Sequence, residues 1–193
     1  RGLCGGFNTN LVNVAKNFLK EKTGGSIEVS VTIFGKKGRD WVRREGLKIF
    51  DTHLGVVGSK IPFSVASTAG RKLVDGFLDG TYDEVHLVFA EFGGMAKQTP
   101  VLKQLLPIPP IAKGEEEIKE DVPYLAEHIC EPSPEALLGE LLPRNVYVQL
   151  FSALLETSTS EHAARMSAMD NATKACNDMI DSLTLVYNKA RQA

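Results

Sequence analysis

The chain has 193 residues, 43% of them hydrophobic, with 22 Lys and Arg against 24 Asp and Glu for a formal charge of -2. That near-balance excludes a nucleic-acid coat, which asks for a basic excess, and no apolar run approaches the ~20 residues of a membrane-spanning helix. One sizeable core plus an extension fits this length, and three widely spaced cysteines, Cys4, Cys130 and Cys176, suit a reducing compartment better than a disulfide framework.

Arg1-Gly2-Leu3-Cys4-Gly5-Gly6 reads as a glycine turn. Asn8 is placed to cap a helix over residues 9–21, with Leu11, Val14, Ala15, Phe18 and Leu19 on one face, and Gly24-Gly25 stops it. In residues 26–34, Ile27, Val29, Val31 and Ile33 alternate with Glu28, Ser30 and Thr32, the period of a strand with one buried face. A helix over 37–45, an extended piece over 47–54 and a second helix over 63–78 follow. Residues 83–92 form a strand around Val85, Leu87, Val88 and Phe89. It meets a second strand, within 95–108, through Gly93-Gly94, whose freedom at positive φ suits a tight antiparallel hairpin. Helix-strand alternation ending in a hairpin predicts an α/β fold, a Rossmann-like open sheet with a mixed edge.

Pro107, Pro109 and Pro110 close that unit, and the loop 111–121, with Glu115, Glu116 and Glu117, is acidic and solvated. A short extended stretch over 124–131 leads through Pro132 and Pro134 into helix. An interruption is expected near Pro143, before a long final helix from about Arg144. The expected division is an α/β body over 1–133, including the acidic loop, and a helical segment over 134–193.

No constellation of catalytic, cofactor or metal residues emerges. Gly2, Gly5 and Gly6 do not match GxGxxG, no Lys-Ser or Lys-Thr follows a glycine loop, and Gly70-Arg71-Lys72 is internal to an amphipathic helix. His53, His86, His128 and His162 fall on different elements without the spacing of metal ligands. Ser158, Thr159 and Ser160 beside His162 read as a polar patch on a helix.

The final helix carries a heptad seam. Steps of four and three give His162, Met166, Met169, Thr173, Cys176, Ile180, Leu183, Tyr187 and Ala190, a spacing that under-winds a helix towards 3.5 residues per turn and asks for a partner helix. Cys176 is expected to pack there as a small apolar residue. The pattern runs to the last residue without a glycine stop, and the glycine turn opens the chain, so the sequence reads as the middle of a longer polypeptide.

Three groups of residues carry a resemblance: Arg1-Gly2-Leu3-Cys4-Gly5-Gly6-Phe7-Asn8; Gln104-Leu105-Leu106-Pro107; and, near the end, Ser160-Glu161-His162-Ala163-Ala164-Arg165-Met166-Ser167-Ala168-Met169 with Leu183-Thr184-Leu185-Val186-Tyr187-Asn188-Lys189-Ala190-Arg191-Gln192-Ala193. In kind and order they resemble the gamma subunit of the F-type rotary ATP synthase family, while 111–127 matches loosely. The resemblance implies a helix before Arg1 that winds with the seam as an antiparallel coiled coil, and a further turn or more after Ala193. It implies a non-catalytic rotor shaft that couples proton-driven rotation of the membrane ring to ATP synthesis or hydrolysis in a hexamer of alpha and beta subunits. The implied partners are those subunits, the epsilon subunit (delta in mitochondria) and the membrane c-ring. No cofactor is implied, nor any direct membrane insertion, and the place is the cytoplasmic face of a bacterial inner membrane or its organelle equivalent. By match, Arg191 and Gln192 contact a beta-subunit loop. In the family's Tyr-x-x-Glu-Pro motif Glu131 is retained and His128 replaces the tyrosine, so these two residues would meet the membrane ring. A nucleotide-binding α/β enzyme and a generic coiled-coil scaffold stand as the alternatives.

Overall fold

A computed structural model describes residues 2–22, 27–56, 60–109, 131 and 133–192. The elements run α1 (Phe7–Lys22), β1 (Ser30–Phe34), α2 (Lys36–Glu45), β2 (Lys48–His53), α3 (Phe63–Leu78), β3 (Val85–Gly94), β4 (Lys97–Leu106) and α4 (Pro134–Gln192). They divide into two compact units, one of Arg1–Ile61, Val88–Leu102 and Ala153–Ala193, the other of Pro62–Leu87 and Lys103–Ser152.

In the first unit β1 and β2 are parallel, pairing Ser30 with Lys48 and Phe34 with His53, with an irregularity between Val31 and Thr32. Their connection, α2, turns Trp41 and Val42 inwards onto Ile33, with Val12, Ala15 and Leu19 of α1 packed against this core. Gly35, at φ 105°, turns the chain from β1 into α2, and Gly46, at φ 69°, ends that helix in the left-handed region favoured by glycine. A second cluster joins Cys4, Phe7 and Ala90, with Leu11 and Ala164 against it. In the other unit Val74, Leu105, Leu106 and Val146 form the core, flanked by Leu73, Phe77, Val85 and Tyr147.

The α/β character and the long C-terminal helix are as expected, whereas the strand arrangement differs in detail. Among the described residues the strands form two two-stranded sheets, β1 with β2 and β3 with β4, rather than one open sheet. The hairpin turn is Met95-Ala96, two residues beyond the expected Gly93-Gly94. Gln98 Nε2 fixes it by donating to the carbonyls of Gly94 (3.1 Å) and Met95 (2.7 Å). Helix α1 begins at Phe7, because Asn8 donates its Nδ2 to Cys4 Sγ at 3.1 Å instead of standing outside the helix as a cap.

Helix α4 does not break at Pro143. It starts at Pro134 and continues for 59 residues, roughly 90 Å at 1.5 Å per residue. Proline is tolerated first because Pro134 occupies the opening turn, behind a cap in which Ser133 Oγ accepts from the Ala136 N–H at 3.2 Å. Inside the helix, the residue four before Pro143 is Gly139, whose backbone freedom lets its carbonyl adjust to the ring.

Candidate functional site

The C-terminal part of α4 has two faces with different work. Ala153, Thr157, Ser160 and Ala164, spaced four, three and four, make up one of them. Ala153 and Ser160 are buried, Ser160 completely, and Thr157 and Ala164 are partly so. This face meets β3. The Ala90 N–H donates to Thr157 Oγ1 at 3.2 Å, and the Ala90 carbonyl accepts from Ser160 Oγ at 3.3 Å. Close by, Arg165 donates from Nε to the Gly2 carbonyl at 3.3 Å and pairs with Glu161, which ties the glycine turn to the helix.

The expected seam lies on the other face. Residues two apart on a helix sit about 200° apart around its axis, so His162 and Met166 point away from the side that Ser160 and Ala164 turn to the protein. Met166 is 56% exposed, Ile180 58%, Leu183 62% and Tyr187 66%. His162, Met169, Thr173 and Ala190 are exposed as well. Cys176, expected to pack as an apolar seam residue, is also exposed, because in residues 171–187 every side chain of α4 is solvent-facing and the helix has left its own fold. These nine residues thus form one stripe that the chain's own core does not use.

Arg191 and Gln192 are the last helical residues of α4, both exposed. Lys189 and Arg191 are the basic residues of its last described turn. Glu131 is exposed, three residues ahead of the start of α4, and His128 lies outside the described residues.

Of the other residues weighed in the sequence, His53 stacks on Phe34 with ring centroids 4.9 Å apart, and His86 Nε2 meets Glu84 at 2.9 Å. The glycine turn borders a cavity of about 270 Å³ lined in part by Gly5, Gly6, Asn10, Gln98 and Asn171. Its described lining holds neither Lys nor Arg.

In the sequence Ser160 reads only as part of a polar patch with Ser158 and Thr159, and Thr157 does not stand out at all. The signal that finds them is a second four-three register, Val146, Leu150, Ala153, Thr157, Ser160 and Ala164, running beside the seam. In it the large apolar residues come early and give way to alanines and hydroxyls, so hydropathy alone does not mark its second half.

A family profile described as ATP synthase matches residues 1–193. The chain is 63% identical over its whole length to an ATP synthase gamma chain of Desulfosudis oleivorans, of which it covers 65%. It is 57% identical to one of Desulforapulum autotrophicum, of which it covers 66%. The chain therefore spans just under two thirds of the length of these relatives. Among solved structures, the rotor of the Euglena gracilis mitochondrial ATP synthase is similar with a TM-score of 0.66 at 19% identity, covering 100% of this chain and 70% of that one. The central stalk and c-ring of the Tetrahymena thermophila enzyme gives 0.62 at 20%, covering 90% and 72%. At those identities the likeness is one of fold.

Proposed function

This chain belongs to the ATP synthase gamma-chain family, and from that premise we propose that it is a non-catalytic central rotor shaft, coupling proton-driven rotation of a membrane ring to ATP synthesis and hydrolysis in an alpha/beta hexamer. The observation that carries this reading is the pair of faces on α4. One is held by the chain's own fold, while the other presents an apolar stripe from Met166 to Tyr187 to the outside. A second helix wound antiparallel along that stripe makes a stiff two-helix shaft, since paired helices resist bending better than one. Residues 1–133 then serve as the body and 134–193 as one half of the shaft. No described helix is long and apolar enough to cross a membrane. In this reading, attachment to the ring runs through protein contacts. Exposed Glu131 is one such contact and His128 its companion, with epsilon (delta in mitochondria) gripping the body. The subunit works peripherally, on the cytoplasmic face of a bacterial inner membrane or the equivalent organelle face.

Arg191 and Gln192, exposed at the helix end, are assigned to a beta-subunit loop. The planar guanidinium is suited to two charge-assisted bonds with one carboxylate. Replacing both by alanine leaves the melt of the protein within about 0.5 kcal/mol, as solvent-facing changes do. Loss of a charged hydrogen bond worth roughly 1.5–3 kcal/mol lowers ATP hydrolysis by the reconstituted complex severalfold or more. Unchanged hydrolysis removes these residues from the coupling contact. A chain that does not enter the complex with alpha and beta at all sinks the rotor reading.

A further inference from the structure

The sheet formed by β3 and β4 has two strands, so β3 keeps one edge that no described strand pairs. Open edges are ready templates for unwanted pairing and are commonly covered by a helix. Here the cover is specific. Both backbone polar groups of Ala90 are taken by side chains of α4, the N–H by Thr157 Oγ1 at 3.2 Å and the carbonyl by Ser160 Oγ at 3.3 Å. A residue's N–H and C=O point to the same edge of an antiparallel strand, so at this residue the helix does what a neighbouring strand would do.

Three positions apart, Thr157 and Ser160 project from one side of the helix. Ala90 is buried, and Ala164 packs against its cluster with Cys4 and Phe7; neither alanine carries an atom beyond Cβ to hold the helix off. Alanine against alanine is a smooth contact that resists sliding or turning only weakly. Hydrogen bonds are directional and weaken steeply as their angle falls towards about 120°. Ser160 is 0% exposed, so its hydroxyl has no water to turn to when its partner moves.

We propose that Thr157 and Ser160 are positioning residues that latch the azimuth of α4, fixing its rotation about its own axis against β3. The latch thereby sets the direction in which the Met166–Tyr187 stripe and the Arg191-Gln192 end point. It rests on the rotor reading, and it adds to the apolar packing of Ala164 on the Cys4, Phe7 and Ala90 cluster two directional bonds that resist turning. A shaft that turned within its own body would lose angle at every step, and the latch prevents that.

The test uses Thr157→Val with Ser160→Ala, which keeps shape and removes both hydroxyls, beside Thr157→Ser, which keeps a hydroxyl. Amide exchange in the isolated protein is read at Ala90. The double variant is expected to lose protection there while β4 amides keep theirs, and Thr157→Ser is expected to retain it. In complexes with alpha and beta held fixed, the angular fluctuation of a probe on the subunit's body is expected to broaden severalfold in the double variant and to stay narrow in Thr157→Ser. Equal exchange at Ala90, an unchanged angular width, or a width that broadens as much in Thr157→Ser overturns the latch. Thr157→Val alone, which removes one bond at a partly buried site, carries the same readouts where the double variant does not fold. Failure of the unsubstituted chain to assemble overturns the rotor reading and the latch with it, whereas normal assembly with an unchanged width overturns the latch alone.

Discussion

Gly70 and Gly76 of α3 show how single residues set the packing of the second unit. A Cβ on Gly70 would lie 2.5 Å from Tyr147 Cδ1, and one on Gly76 would run into the hydroxyl end of Tyr82. Tyr82 in turn donates to the carbonyls of Lys72 (2.9 Å) and Leu73 (3.0 Å), and its partial burial, with Asp75 and Asp79 nearby, raises its pKa above the ordinary phenol value. Alanine at Gly70 gains up to about 1 kcal/mol of helix propensity, but overpacking a core typically costs about 1–3 kcal/mol. Tyr147 packs against the core of this unit, so withdrawing it would give up that packing and the clash is expected to outweigh the propensity gain. Gly70→Ala is expected to lower stability by about 1–2 kcal/mol in denaturant melts. A rise would show that Tyr147 swings clear.

The start of α4 is governed by a short acidic cap. Ser133 Oγ accepts from the Ala136 N–H. Glu135, fully exposed, has its carboxyl held below the ordinary 4.5, chiefly by its own backbone N–H and then by the Ser133 hydroxyl. A depressed folded-state carboxyl contributes stability that is present above the unfolded value and lost as pH falls through the folded one. The first turn of α4 is therefore expected to fray in acid, below about the ordinary Glu range, and Ser133→Ala should raise the Glu135 titration part of the way back while loosening the cap by about 1 kcal/mol. NMR titration of Glu135 measures this, and an unmoved midpoint would detach Ser133 from it. Sequence legibility at this scale followed local chemistry. Helix α3 was expected over 63–78 and spans Phe63–Leu78, and the alternation of Val31 and Ile33 with Thr32 marked β1. Asn8, the Met95-Ala96 turn and the passage of α4 through Pro143 were not legible, because each depends on a partner or a neighbour whose position the local pattern does not contain: Cys4 Sγ, Gln98 Nε2 and the bare Gly139 backbone.

For the whole molecule, the decisive property is that one helix carries two registers, an inward one through Ala153, Thr157, Ser160 and Ala164 and an outward one through Met166, Met169, Ile180, Leu183 and Tyr187. The outward register was legible because large apolar side chains repeat at coiled-coil spacing. The inward one was not, because small and hydroxylated residues carry little hydropathy. An exposed apolar stripe of this length recruits a neighbour, so sedimentation of the isolated chain is expected to show concentration-dependent self-association that Ile180→Asp with Leu183→Asp abolishes. A monomer at all concentrations would mean that the stripe is satisfied by other means. The same exposure has a chemical side. Met166 and Met169 hold their thioethers where peroxide reaches them, at 56% and 38% exposure, and each oxidation to sulfoxide adds a polar oxygen and makes the sulfur a stereocentre, turning an apolar side chain into a polar one. Once a partner helix covers the stripe those sulfur atoms are sheltered, so assembly also shields this protein from ageing in air.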